Sequence, residues 1–220
     1  MRLPRIPKPN SVLSLVAGLM FFLAAGVVGV PGATQAAEPT PPQAQEGLYL
    51  RGQLLVASPD IMDPRFMRSV VYMVKHSETG AVGLIINKVY GAGPLREFLK
   101  GLNIDPGNVE GTINLHYGGP VSPGAGFVLH TPDYNGPNTR AVNKDMALST
   151  ELDIMRAIAE GRGQRNSLIA MGYSGWASGQ LEGEIERGDW LSAPAGEALI
   201  FDDDQKTKRD RASGKAGLNL

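Results

Sequence analysis

An uncharged stretch of twenty residues, Ser11 to Val30, limits how much of this chain can belong to a folded domain. Arg2, Arg5 and Lys8 precede it, and the small-residue sequence ATQAA follows a Pro-Gly break. This order of basic, apolar and small residues is that of a secretory signal peptide. The run also approaches the roughly 20 residues that span a bilayer. Residues 1–36 are therefore predicted to be a signal peptide or a membrane anchor, outside the fold.

Either kind of leader places the remaining chain outside the cytoplasm, because the basic residues stay on the cytoplasmic side. We expect a protein that is periplasmic, or anchored to the inner membrane and facing the periplasm. It would contact the membrane only through residues 11–30, if they are not cleaved. Residues 37–47 (AEPTPPQAQEG) are rich in Pro and Gln and predict an extended linker. Residues 48–220 are long enough for one core.

Composition excludes several classes of function. The chain has no cysteine, so it can form no disulfide, thiol nucleophile or zinc–thiolate site. It carries 21 Lys and Arg against 22 Asp and Glu, and without residues 1–36 the balance becomes 18 against 22, or −4. A general nucleic-acid binder needs a basic face. We therefore expect no direct nucleic-acid binding, and a partner that is another protein or a small ligand.

Short strands alternate with short helices along residues 48–220. The β-branched and aromatic run 69–76 and the apolar run 81–88 predict a hairpin. Apolar residues at i, i+3, i+4 and i+7 predict a helix within residues 93–104. A late strand is expected at EALIF (197–201), and the charged tail, 202–220, is expected to be weakly ordered. This mixed order predicts an α+β fold.

The segment GYSGW, residues 172–176, resembles the nucleophile elbow G-x-S-x-G of serine hydrolases. Its fifth position is Trp176 instead of glycine, and no histidine follows Ser174 in the chain. The hydrolase order of Ser, acid and His is therefore impossible, and a triad in another order would need His116 or His130. The sequence favours a structural role for Ser174.

No other motif points to a metal or cofactor. The three histidines lack the spacing of a metal site. The segment Gly118-Gly119-Pro120 matches no phosphate-binding loop, and we expect it to bend the backbone between strands. We predict that the protein has no metal site and no cofactor.

Both tryptophans of the chain flank a predicted short helix. We expect at least one of Trp176 and Trp190 to be buried against Leu181 or Ile185, because large aromatic side chains dominate core burial. The alternative is a surface on which the indoles and Tyr173 meet a ligand or partner.

Several longer segments together resemble the AlgH/YqgE family of bacterial proteins. They run in order from residue 48 to 201 and read GQLLVASPDIMDPRFMRSVVYMVKH, GAVGLIINK, YGGPV, GFVLHT and GYSGWASGQLEGEIERGDWLSAPA. The resemblance implies a compact domain with a bent, bifurcated mixed β-sheet around a small barrel-like centre, flanked by helices. It implies no established reaction. The family's label as a transcriptional regulator comes from a regulatory association in alginate-producing bacteria, and this chain contains no helix-turn-helix pattern.

The resemblance also marks a candidate binding surface without a known catalytic residue, made of Asp63, Asn87, Lys88, Gly118, Gly119, His130, Thr131, Tyr173, Trp176, Gln180 and Glu184. We expect a non-enzymatic binding or regulatory protein. The alternative is an enzyme with a small-molecule site near Asp63, Asn87, His130 and Tyr173. Family members are usually cytoplasmic, so a cytoplasmic location follows if the leader reflects a misassigned start. Arg209 stands where the family's last helix commonly has tryptophan, so the resemblance does not predict how that helix is docked.

Overall fold

The computed structural model describes residues 49–216, so the predicted leader (1–36) and linker (37–47) lie outside the described residues. The strands are β1 (Leu54–Ala57), β2 (Val70–Ser77), β3 (Gly80–Ile85), β4 (Val89–Pro94), β5 (Thr112–Tyr117), β6 (Val121–His130), β7 (Thr139–Ala141), β8 (Ala147–Ser149), β9 (Ser167–Trp176) and β10 (Trp190–Ala193). The helices are α1 (Leu95–Gly101), α2 (Asp153–Ala159), α3 (Gln180–Glu186), α4 (Glu197–Phe201) and α5 (Gln205–Ala216). Between residues 49 and 216, no helix is both long and apolar enough to cross a bilayer.

The first strands are buried on both faces, which explains their unbroken apolar sequence. Side chains of a strand alternate between the two faces of its sheet. Leu54 and Val56 of β1 accordingly enter one core, whereas Leu55 and Ala57 enter another. Strands β2 and β3 form the predicted antiparallel hairpin beside β1, and β10 pairs with the other edge of β1. This part of the sheet therefore separates two apolar cores.

Strand β9 joins the two parts of the sheet and makes it fork. Residues 169–171 of β9 pair in parallel with β5, whereas residues 174–176 pair in antiparallel with β3. Strand β6 runs antiparallel along the opposite edge of β9. The result is the predicted α+β fold, with a curled, half-barrel sheet that forks at β9 and helices on its flanks. Helices α1 and α2 pack over the β5–β9–β6 region around Leu99, Ile154 and Ile169.

Two predictions for the C-terminal region are wrong. The segment EALIF forms helix α4 instead of a strand, because a short apolar run has no periodicity that separates the two structures. The backbone carbonyl of Gly196 accepts hydrogen bonds from the amides of Leu199 and Ile200, and the latter two side chains are buried side by side. The tail, 202–220, was expected to be weakly ordered, but its residues 205–216 form the twelve-residue helix α5.

Two cationic side chains attach helix α5 to the rest of the domain, although its charged sequence had suggested an exposed segment. Lys208 is fully buried and donates hydrogen bonds to the carbonyls of Ile200 (2.9 Å) and Asp202 (3.0 Å), where α4 ends. Burial lowers the pKa of Lys208 to about 8. Arg209 donates through Nη2 to the carbonyl of Ala57 in β1, at 2.9 Å. An arginine therefore anchors the helix at the position where the resemblance implies that family members commonly have tryptophan.

Candidate functional site

Three of the predicted site residues, Asp63, Asn87 and Lys88, lie around one turn and stabilise it. Asn87 accepts a hydrogen bond from the amide of Val70 (2.8 Å) and donates to the carbonyl of Arg68 (2.9 Å). The ammonium of Lys88 donates to two carbonyls of the same turn, the nearer at 2.9 Å. Asp63 forms an ion pair with Arg65 (2.6 Å), and this hydrogen-bonded partner lowers the pKa of the Asp63 carboxyl.

The glycines Gly118 and Gly119 lie at the fork of the sheet, where three strands meet. The amide of Gly118 donates to the carbonyl of Met171 in β9, and its carbonyl accepts from the amide of Ile85 at the end of β3. A Cβ at Gly119 would lie 2.3 Å from the carbonyl oxygen of Tyr173. The Tyr173 ring itself packs edge-on against Phe127. The predicted role as a backbone bend is thus confirmed, and both glycines are buried.

The predicted site residues His130 and Thr131 are buried core residues with satisfied hydrogen bonds. The ring Nδ1 of His130 donates to the Thr131 carbonyl (2.7 Å), so its Nε2 accepts from the Ser149 hydroxyl (3.0 Å). The Thr131 hydroxyl exchanges hydrogen bonds with the backbone of Asn166. Burial lowers the pKa of His130. This ring therefore holds β6 and β8 together.

The remaining predicted site residues, Trp176, Gln180 and Glu184, form a cluster with Trp190. Both indole N–H groups donate to the same carboxylate oxygen, Oε2 of Glu184, each at 2.8 Å. The Gln180 amide donates to the other oxygen, Oε1, at 2.9 Å. The indole rings meet edge to face with centroids 6.0 Å apart, and both pack with fully buried Leu181. The predicted burial of a tryptophan against the helix is confirmed for both rings.

Ser174 has a structural role, as predicted, although it lies inside β9 and not in a turn. Its side chain is fully buried, and its hydroxyl donates to the Gly118 carbonyl at 3.2 Å. A nucleophile elbow requires an exposed serine at the end of a strand. The resemblance of GYSGW to that motif is therefore coincidental.

The four residues of the alternative enzyme site make no hydrogen bonds to one another. Asp63 and Asn87 lie around the same turn, whereas His130 and Tyr173 have their hydrogen-bond and ring partners elsewhere in the domain. Over residues 49–216, no group of three or more carboxylates and histidines could hold a metal ion.

A polar recess that the sequence did not reveal surrounds His116. Its volume is about 500 Å³, and its walls come from β5, the α2–β9 loop and the α4–α5 junction. We call it the His116 recess. The polar side chains that line it are Thr112, Asn114, His116, Gln164, Arg165, Asn166, Ser167, Asp202, Asp203 and Gln205. The recess could not be predicted from the sequence, because its polar residues are spread over more than ninety positions, from Thr112 to Gln205. The one local signal was the adjacent Gly118-Gly119 segment, which predicts a bend in the backbone.

His116 is neutral and unpaired within this recess. Its side chain is 95% buried, since its exposed fraction is 5%, and neither Nδ1 nor Nε2 has a hydrogen-bond partner among the described residues. Burial, with a smaller contribution from the Lys208 ammonium, lowers the pKa of His116 to about 4. The backbone groups of Ile169 and Asn114 lie near the ring and oppose this shift, but neither reaches it with the geometry of a hydrogen bond. The side-chain oxygens of Gln164 and Gln205, which line the same recess, are also buried and unpaired.

The depressed pKa predicts an acid-sensitive contribution of His116 to stability. The unfolded state binds a proton near pH 6.5 and the folded state near pH 4, so the contribution is fully present above pH 6.5 and is lost as the pH falls through about 4. A shift of this size corresponds to about 3 kcal/mol. In an NMR titration, the His116 ring signals should stay constant from pH 8 to 5. Titration near pH 6.5 would contradict this prediction, and His116→Leu should flatten the stability profile between pH 6.5 and 5.

Comparisons with known proteins agree with the fold and with the resemblance. The model of the AlgH-like family matches residues 54–220. A UPF0301 protein of Methylococcus capsulatus is 47% identical over 82% of this chain and 99% of its own. The solution structure of AlgH from Pseudomonas aeruginosa superposes with a TM-score of 0.65 at 36% identity, covering 85% of this chain and 95% of that one. A crystal structure from Corynebacterium diphtheriae, at 23% identity and a TM-score of 0.52, covers 75% of this chain and 81% of its own, and shares the fold. The chain belongs to the AlgH-like, UPF0301 family.

Proposed function

We propose that this chain is a non-catalytic binding protein that takes an uncharged, hydrogen-bonding small molecule into the His116 recess. One observation carries the proposal: buried polar atoms of three side chains, His116, Gln164 and Gln205, line a single recess without a hydrogen-bond partner among the described residues. Buried polar groups are normally paired, and each unpaired group costs about 1–3 kcal/mol. A ligand that pairs with these atoms would recover that energy.

The unpaired atoms define the chemistry of the ligand. A neutral imidazole offers one N–H donor and one acceptor nitrogen, and the glutamine oxygens are acceptors. The charged groups of the recess are already engaged: Arg165 pairs with Glu197, Asp202 with Arg211, and the Asp203 carboxylate with Asn114. The recess therefore suits a molecule without net charge that carries several hydroxyl or amide groups.

The arrangement of hydroxyl groups favours binding over catalysis. A serine or threonine nucleophile needs a base within hydrogen-bonding reach of its hydroxyl. Thr112 and Ser167 line the recess, but neither hydroxyl hydrogen-bonds to His116. With a pKa of about 4, the imidazole is also a poor base at neutral pH.

A ligand screen with matched glutamine variants tests the proposal. Full-length protein is mixed with neutral sugars, polyols and small amides, and with carboxylates of similar size, while unfolding temperature and the His116 NMR signals are followed. We expect a neutral compound to stabilise the wild type and Gln53→Leu, a glutamine outside the recess, but not Gln164→Leu. The compound should be recovered unchanged. Equal stabilisation of Gln164→Leu, or conversion of the compound to a product, would refute a non-catalytic His116 site.

A further inference from the structure

A second recess lies at the start of α5 and is lined by cations. Its volume is about 390 Å³, and its lining residues are Arg68, Asn87, Lys88, Gln205, Lys206 and Arg209. No carboxylate belongs to this lining, although the body of the protein carries net negative charge. We call it the cationic recess.

The cations of this recess are largely free of acidic partners. No described carboxylate lies within salt-bridge distance of Arg68, Lys88 or Lys206. Arg209 reaches the carboxylate of Asp210 only at 3.5 Å, and this aspartate is two-thirds exposed. Like charges gathered in this way repel one another and focus a positive potential in the concave surface. The repulsion is relieved when an anion binds.

The guanidinium of Arg209 provides a second observation in favour of an anion site, independent of the lack of acidic partners. One of its guanidinium nitrogens, Nη2, is committed to the carbonyl of Ala57. Its Nε–H is buried yet has no hydrogen-bond partner among the described residues. The anchoring contact to β1 fixes the guanidinium of Arg209, a residue that lines the recess, and so also fixes its unpaired Nε–H donor. Such a donor is preorganised for an acceptor from outside the protein.

The backbone around Arg68 is also fixed. Arg68 has a φ of 57°, a left-handed conformation that is uncommon for residues other than glycine. The Asn87 side chain holds this conformation through its hydrogen bond to the Arg68 carbonyl, at 2.9 Å. Asn87 and Lys88 thus build one wall of the recess, and α5 builds the other.

We propose that the cationic recess binds a phosphate group of a small molecule. Guanidinium groups match the geometry of phosphate oxygens and lysines add point charge. The volume exceeds that of phosphate alone and falls in the range of small-molecule sites. This site is separate from the His116 recess, and the two share only Gln205.

The test uses inorganic phosphate and pyrophosphate as probes on the full-length protein. Binding is measured by calorimetry at constant ionic strength, with chloride and acetate as competing anions. Arg68→Gln combined with Lys206→Gln should weaken pyrophosphate binding by about tenfold or more. The control, Lys75→Gln combined with Lys144→Gln, removes the same charge from exposed positions outside the recess and should change binding less than about twofold. Thermal unfolding of both double variants verifies that they are folded.

A second measurement does not depend on any variant. In arginine-labelled protein, the Arg209 Nε–H NMR signal should shift on addition of pyrophosphate, because this donor gains an acceptor. Sedimentation with phosphatidylglycerol vesicles separates the two sources of phosphate: selective loss of vesicle binding in the Arg68/Lys206 variant indicates a lipid headgroup, and its retention indicates a soluble phosphate. Absence of phosphate binding, or equal weakening in both double variants, would overturn the proposal and leave the His116 recess untouched.

Discussion

Gly119→Ala is expected to prevent this domain from folding. The φ of Gly119 is +151°, which side-chain-bearing residues rarely adopt, and an added Cβ would lie 2.3 Å from both the carbonyl carbon and oxygen of Tyr173. These atoms are backbone within β9, so they cannot move without breaking the fork of the sheet. Strain and overpacking together should cost roughly 4 kcal/mol or more, against a total stability of about 5–15 kcal/mol for a typical domain.

Gly124→Ala is the matched control for this substitution. Gly124 lies in β6 without a positive φ, and an added methyl group there would meet no atom within 4 Å. Soluble yield and thermal unfolding of the two variants should therefore differ strongly. A Gly119→Ala protein that unfolds within about 1 kcal/mol of the wild type would show that the fork can relax.

Trp190→Ala is the second substitution with a large expected effect. Trp190 is 3% exposed, meets Trp176 and Phe66 edge to face, and donates to Glu184. Removal of a buried tryptophan typically costs about 3–5 kcal/mol. The loss of a hydrogen bond to a charged group adds to this cost. Urea unfolding should show a correspondingly lower midpoint, with Trp176→Ala behaving in the same direction.

Ser174→Ala provides the contrast within the same segment. Its hydroxyl donates one hydrogen bond to the Gly118 carbonyl, which also accepts from the Ile85 amide. Removing the hydroxyl leaves that carbonyl paired, so we expect a change of about 1 kcal/mol. If both tryptophan variants retained full stability while Ser174→Ala abolished ligand binding, the structural interpretation of this segment would be wrong.

The parts of this fold that were predictable depend on local pattern. The β2–β3 hairpin and α1 follow from alternation, turn residues and helical spacing. The burial of the tryptophans was predictable from two large residues beside a short helix. The role of Glu184, which accepts hydrogen bonds from both indoles, was not predictable, because the spacing of residues does not show which side chains hydrogen-bond to one another. Helix α5 was missed because its buried face includes a lysine, and a buried charge can be recognised only from the carbonyls that surround it.

Most predicted site residues are structural, and the recesses depend on long-range contacts. His116 gives no local signal, because its surroundings come from β5, the α2–β9 loop and the α4–α5 junction. The cationic recess likewise joins Arg68 to residues of α5 far along the chain. Resemblance to a family placed Asn87 and Lys88 in a candidate binding surface, but could not distinguish residues that hold a turn from residues that line a cavity.

The forked position of β9 has a consequence for how the chain is made. Strands β3, β5 and β6 all pair with β9, residues 167–176, and β1 pairs with β10, so none of these pairs can form until the C-terminal part of the domain has been synthesised. During synthesis the nascent chain therefore carries the apolar strands β1 to β3 with both outer edges unpaired until most of it has left the ribosome. Folds dominated by such distant pairings form slowly and expose aggregation-prone surface meanwhile. This domain should therefore fold only after its synthesis is nearly complete, and should depend on chaperones until β9 and β10 emerge.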